Sequence, residues 1–308
     1  MLGENGRSLQ QTLKRDVGCE GIGLHSGQPA AMRLVPAPPD TGIVFRRTDA
    51  GVELRALWTN TVETARCTML SDGEGTTVGT VEHLMAALAG AAIDNAVVEL
   101  DGPEVPIMDG SAAPFVSRIE RAGVVAQDAP RRAIKILKPV AIAADGATAS
   151  LCPDRGFSMS FEIDYDNPLI GRQDMSMTVD PGSFKHELSR ARSFGLLDEV
   201  DRLRAAGLAR GGSLENAVVV DGDRVLNRGG LRYADEFVRH KLLDAIGDLY
   251  LAGAPILGHF CGVRSGHTHN RLLLAALFAD DDAWAYTSLG AASANGHVAR
   301  RELVPAGA

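Results

Sequence analysis

Three side chains spaced four apart, His240, Asp244 and Asp248, lie in the stretch RHKLLDAIGDLYLAG from Arg239 to Gly253. On an α-helix such residues are neighbours, with Cβ atoms roughly 5–6 Å apart. An imidazole and a carboxylate at that separation can close on one divalent cation. The third acid, one turn on, can hold another group in place. The same spacing also occurs on solvated helix faces, where His and Asp form weak surface pairs, so this stretch alone does not decide. Two other places carry matching chemistry: Glu82 and His83 are adjacent in TVEHLMAALAG, and His267 lies in VRSGHTHN. Two histidines and one carboxylate leave the fourth position of a tetrahedral Zn²⁺ open to water. Zinc brings that water's pKa to roughly 7. A Glu beside a ligand can take the water's proton, and a separate His can protonate the leaving group or stabilise the oxyanion. The order Glu-His differs from HExxH, so the usual metalloprotease signature is absent.

These residues need elements to position them. Val238, Leu242, Ala245, Ile246 and Leu249 form an apolar stripe at helical spacing beside the polar one. Val81, Leu84, Met85 and Leu88 predict a second helix, with Thr80 as its N-cap and Gly90 as its stop. Glu82 suits the first turn of such a helix, and the dipole there disfavours a protonated His83. The neutral imidazole is the form that binds a metal; an ordinary first-turn Glu beside a partly buried His is the plainer alternative. His267 and His269 fall in a turn after a strand, before a short helix over residues 270–278. His25 sits in the Gly-flanked turn GIGLHSG, where glycines permit close approach of another element or a ligand; a turn histidine without a function is the commoner case.

The chain has 308 residues, which suggests two domains. Hydrophobic residues make up 45% and charged residues 23%, as in globular proteins. With 31 Lys+Arg against 39 Asp+Glu the net charge is −8, which argues against a general nucleic-acid binder. No run approaches the roughly 20 apolar residues of a transmembrane helix, and MLGENGRSLQQTLKR has no apolar core of a signal peptide. Cys19, Cys67, Cys152 and Cys261 form no CxxC pair and read as free thiols of a cytoplasmic protein. DAPRRAIK, from Asp128 to Lys135, has the composition of a linker and divides the chain into residues 1–127 and 128–308. ENAVVVDGDRVL predicts a hairpin turning at DGD. Both halves carry a helix, an AGA break at residues 89–91 or 252–254, and then a strand, a faint echo of two similar domains that share one site.

TVEHLMAALAG, IDNAVVELDGPEVPIMDGSAAPFV, ARSFG, GGSLENAVV, DEFVRHKLLDAIGDLYLAG and SGHTHN, with GIGLHSG before them, resemble the UDP-3-O-acyl-N-acetylglucosamine deacetylase family. The resemblance spans roughly residues 10–278, in order. It implies a zinc amidase of lipid A synthesis. It implies an α+β fold of two similar two-layer sandwich domains, helices facing each other and the site between them, with an inserted unit near residues 193–225 that forms a passage for the acyl chain. It implies His83, His240 and Asp244 as metal ligands, with Fe²⁺ an acceptable substitute for Zn²⁺. Glu82 corresponds to the general base, His267 to the cationic acid and Asp248 to the carboxylate that orients it. Lys241 corresponds to a lysine that meets the substrate near its diphosphate and glucosamine. Phe194 matches an aromatic against the sugar, Tyr165 one near the uracil, and Arg264 a basic residue within reach of phosphate. His25 is carried with them as a substrate-binding candidate. Ser193 stands where the family usually has Thr; it keeps the hydroxyl for the oxyanion and loses the methyl that restricts its rotamer. The implied partner is UDP-3-O-acyl-N-acetylglucosamine, bound by a monomer. Another N-acyl sugar as substrate, or a non-catalytic zinc- or nucleotide-binding protein of this fold, are the rival readings.

Overall fold

The helix read from the His240 stripe runs over Glu236–Tyr250, and nearly every residue of it is buried, the polar stripe included. A helix buried on all sides lies inside a larger assembly, and the computed structural model, which describes residues 8–64 and 66–289, shows what surrounds it. The described residues form six α-helices: α1 (Glu82–Gly90), α2 (Ala113–Ala122), the single turn α3 (Pro181–Ser183) capped by Asp180, α4 (Leu197–Ala205), α5 (Glu236–Tyr250) and α6 (His267–Ala279).

Two large sheets lie beneath α1, α2, α5 and α6. The first has five strands in the order Val17–Ile22, Pro29–Pro36, Ala96–Leu100, Ile43–Arg47 and Val52–Arg55. All neighbours are antiparallel except Ile43–Arg47 with Ala96–Leu100. The second sheet contains the same arrangement: Val140–Ala144, Ala147–Cys152, Ile256–Val263, Phe157–Asp164 and Arg172–Thr178, antiparallel except for Phe157–Asp164 with Ile256–Val263. Arg132–Ile136 and Trp284–Ser288 extend it. In both halves two hairpins come first, then a helix (α1 or α5), then the middle strand, then a second helix (α2 or α6). Inward-facing residues such as Ile256 and Phe260 alternate with half-buried ones, as one covered sheet face requires.

Each half is therefore a helix layer on a sheet, and α1 packs against α5. One apolar core runs through both halves by way of that contact. The approach is close because α5 presents Gly247: a Cβ there would stand 2.0 Å from the carbonyl oxygen of Glu82. Glycine costs a helix interior roughly 1 kcal/mol against alanine, and here it allows two backbones to touch.

Several local expectations change. Thr80 does not cap α1: it has φ +57°, and its hydroxyl donates to Glu104, so Val81 stands at the cap without a side-chain bond. The expected linker at residues 128–135 is strand, Val124–Pro130 pairing with Leu9–Leu13 and Arg132–Ile136 joining the second sheet. Arg132 and Lys135 are exposed while Ala133, Ile134 and the following Ile136 are fully buried, so composition masked a strand that enters the core. The last helix begins at His267 rather than after it. The hairpin at DGD forms between Val218–Asp221 and Arg224–Val225, with Gly222 at φ +60°. Together with Phe194–Leu196 these two strands make a separate three-stranded sheet. The four cysteines are unpaired, and among the described residues no helix is long and apolar enough to cross a membrane. The readings of residues 1–7 and of the tail beyond Leu289 lie outside the described residues.

Candidate metal centre and its two proton groups

The α1–α5 contact brings His83 to His240 and Asp244. Asp244 Oδ1 lies 3.5 Å from His83 Nε2 and 3.3 Å from His240 Nε2, and one ligand atom from each residue falls within 4.8 Å of the others. Tetrahedral bonds of about 2.0–2.1 Å place neighbouring ligand atoms about 3.3 Å apart, so these distances suit one ion. The surroundings orient the two donors on α5. His240 Nδ1 faces the carbonyl of Ala191 at 3.2 Å and donates to it, which turns Nε2 toward the centre as a lone pair. Asp244 Oδ2 accepts from Lys241 Nζ at 3.0 Å, while Oδ1 is buried with no hydrogen-bond partner among the described residues. An orphaned carboxylate oxygen facing the His240 lone pair, beside a second buried imidazole whose Nδ1 has no partner among the described residues, is costly unless a cation lies among them. The donor set therefore fits a divalent metal ion.

Charge states agree with this. Burial pushes His240 down to about 4, against the pull of Asp244, and so favours the neutral ligand form. Burial opposes charge on Asp244, but His240 and the Lys241 ammonium outweigh it and hold the carboxyl well below its usual range. Burial likewise opposes charge on Lys241, and Asp244 raises it above the ordinary lysine value.

Two further groups flank the cluster. Glu82, in the first turn of α1, is 4% exposed, and burial raises its pKa against the pull of His267 and His83. Opposite it stands His267, the first residue of α6, whose Nδ1 is 2.8 Å from Asp248 Oδ2. Burial and a helix N-terminus both disfavour the imidazolium. Asp248 reverses this, with help from Glu82 and Asp244, and pushes His267 up to about 9. Asp248 accepts from Asn270 Nδ2 on Oδ2 at 2.8 Å and from Thr68 Oγ1 on Oδ1 at 2.5 Å. Thr68 also donates its backbone N–H to Glu82 Oε2 at 3.0 Å.

The remaining candidates divide. Ser193 Oγ lies 3.5 Å from His83 Nε2, at the ligand triangle. Phe194 packs edge-on against His240 at 6.2 Å and against Tyr165 at 5.6 Å. His25 is held by its backbone N–H on Glu104, 2.8 Å away, and both its ring nitrogens are buried without partners among the described residues. Burial lowers its pKa against the pull of Glu104. Arg264 is exposed in the turn before α6, at φ +53°, and no hydrogen bond or ion pair ties its guanidinium to the cluster among the described residues. Lys241 lies against a ligand carboxylate, its Nζ 3.0 Å from Asp244 Oδ2.

Thr68, Asn270 and Glu104 escape a reading of the sequence. Asn270 has a signal, one turn after His267 in HTHN. Thr68 has none: it is 180 residues from Asp248 and 199 from His267. Glu104 gathers His25 N, Ser26 N, Ser26 Oγ and Thr80 Oγ1 onto one carboxylate, a role that only the fold discloses.

Known proteins agree with the geometry. A UDP-3-O-acyl-N-acetylglucosamine deacetylase of Acidithiobacillus ferrooxidans is 52% identical over 281 residues, 90% of this chain and 92% of that protein. The protein of that name from Pseudomonas entomophila is 52% identical over 279 residues, 89% of this chain and 92% of its own. That from Shewanella oneidensis is 48% identical over 284 residues, 91% and 93% of the two chains. With residues 10–279 matching the family described as LpxC: UDP-3-O-acyl N-acetylglycosamine deacetylase, the chain belongs to that family.

Proposed function

We propose that this protein hydrolyses the 2-N-acetyl group of UDP-3-O-acyl-N-acetylglucosamine to acetate and the free amine, the committed step of lipid A biosynthesis. The observation that carries the reading is the meeting of His83, His240 and Asp244 at the α1–α5 contact, between a buried carboxylate on one side and a carboxylate-paired imidazole on the other. His83, His240 and Asp244 would hold Zn²⁺, with Fe²⁺ also compatible with two imidazoles and a carboxylate. The bound ion supplies a Lewis acid for the amide carbonyl and lowers the pKa of a water beside it.

The protein's own residues do the rest. Glu82, with its pKa raised by burial, takes the proton of the attacking water. Ser193 offers its hydroxyl where the carbonyl oxygen gains charge. His267 enters protonated, stabilises that charge and gives its proton to the departing amine. Asp248 keeps the imidazole charged and aimed. Lys241 steadies Asp244 and meets the substrate beside it. Phe194 and Tyr165 form an aromatic wall for the sugar and the uracil side, with His25 and Arg264 as further substrate contacts. Residues 1–127 and 128–308 are read as the two domains, supported by the repeated sheet order, and residues 193–225 as the inserted acyl passage. The protein acts as a cytoplasmic monomer.

The test is acetate release from UDP-3-O-acyl-N-acetylglucosamine. Release is expected with metal, lost on chelation and restored by Zn²⁺. It should also require both the UDP group and the 3-O-acyl chain. Release that ignores the chelator, or proceeds equally on an N-acetyl sugar lacking both groups, overturns the proposal. The same assay across pH tests the two proton groups. Activity rises through the acid range as the base deprotonates. It falls as pH climbs through about 9, where His267 loses the proton it must donate. A profile flat to pH values above that point contradicts the assignment of His267.

A further inference from the structure

Thr68 has three polar groups, and each is spent on the framework of the site. Its backbone N–H donates to Glu82 Oε2 at 3.0 Å. Its carbonyl accepts from the N–H of Val81, the residue that opens α1, at 3.3 Å. Its hydroxyl lies 2.5 Å from Asp248 Oδ1 and 3.2 Å from His267 Nδ1. The residue is 7% exposed, just ahead of the short strand Met69–Ser71. No other described residue is recorded with hydrogen bonds to Glu82, Asp248 and His267 together.

The hydroxyl has one hydrogen, and that limits the arrangement. A carboxylate only accepts, so the hydrogen goes to Asp248 Oδ1. The oxygen then turns only lone pairs toward His267. Both neighbours of Nδ1, Thr68 Oγ1 and Asp248 Oδ2, are acceptors, so the Nδ1 proton is held in place and Nε2 is left to face a substrate. With Asn270 on Oδ2, the Thr68 bond on Oδ1 fixes the rotation of the Asp248 carboxylate.

We propose that Thr68 is a positioning residue of the reaction: it ties the base on α1 to the acid pair on α5 and α6, holding Glu82 through its main chain and the Asp248–His267 pair through its hydroxyl. This rests on the function proposed above. Thr68→Val keeps the shape and the backbone bonds and removes only the hydroxyl. It is expected to lower kcat ~10- to 100-fold, the usual effect of losing a partner behind a site, with KM and bound metal unchanged. Thr68→Ser restores the hydroxyl and is expected to recover activity to within about threefold of the parent.

A double-mutant cycle separates this role from general packing. In an Asp248→Ala background the hydroxyl has no carboxylate to fix, and Thr68→Val is expected to cost less than about twofold further. The proposal fails if Thr68→Val keeps kcat within about twofold of the parent, or if its penalty is the same with and without Asp248. Thr68→Ala, which also lacks the hydroxyl, carries the same test should Thr68→Val not fold. A parent chain that releases no acetate sinks the functional reading instead, so the two failures are distinguishable.

Discussion

Glu82→Ala is expected to keep its metal and lose nearly all turnover. The carboxylate is not among the three atoms that face one another at the α1–α5 contact, so its removal leaves Asp244 Oδ1 opposite two imidazole nitrogens as before. What disappears is the acceptor for the proton of the attacking water. General bases contribute ~10²- to 10⁴-fold to rate, so activity should fall by that order or more. Metal content per chain and acetate release, measured on one preparation, check the two halves of the claim. Normal turnover in Glu82→Ala would remove the residue from the mechanism. Loss of metal would instead place its carboxylate among the ligands.

His83→Ala is expected to lose metal and rate together. His83 is the ligand that α1 contributes; the other two come from α5. Without it, Asp244 and His240 remain as an i,i+4 pair on one helix, the weak arrangement from which the sequence argument began. Metal affinity should therefore fall by more than the ~10- to 100-fold that loss of a mere supporting partner costs. Titrating metal into the chelated protein measures this directly. Undiminished, stoichiometric binding in His83→Ala would show that the ion is held elsewhere. Because the neighbouring substitution at Glu82 spares the metal, the pair separates binding from chemistry at adjacent positions of one helix.

Much of this site was legible because its chemistry rides on helices with a clean period. His240, Asp244 and Asp248 recur every four residues beside an apolar stripe, so both faces of α5 could be read before its surroundings were known. Glu82 and His83 were legible as the first turn of α1, yet the cap was misread. A threonine before an apolar run usually caps, but Thr80 gives its hydroxyl to Glu104, a partner 24 residues away. The stretch at residues 128–135 looked like a linker because charge dominates its composition, whereas Ala133 and Ile134 are buried and its backbone is paired in strands. Thr68 was invisible for the same reason: nothing local marks a hydroxyl whose partners are contributed by α5 and α6. The twofold repeat left only a faint trace in the AGA breaks. Sheet order is set by backbone pairing, which many sequences satisfy, so the repeat is plain in the strands.

The contact at Gly247 gives the metal centre the character of a caliper resting on its stop. Its jaws are two helix backbones, and they touch at the carbonyl of the very residue proposed as the base. The approach of the two helices that carry His83 and Asp244 is thus set by main chain against main chain. The helices cannot draw further apart without prising at the core that joins the two halves. Calcium, which seeks six to eight oxygens at about 2.3–2.6 Å, meets the wrong donors in two imidazoles and one carboxylate. The approach of the two helices that bring these donors together therefore rests on one missing methyl group.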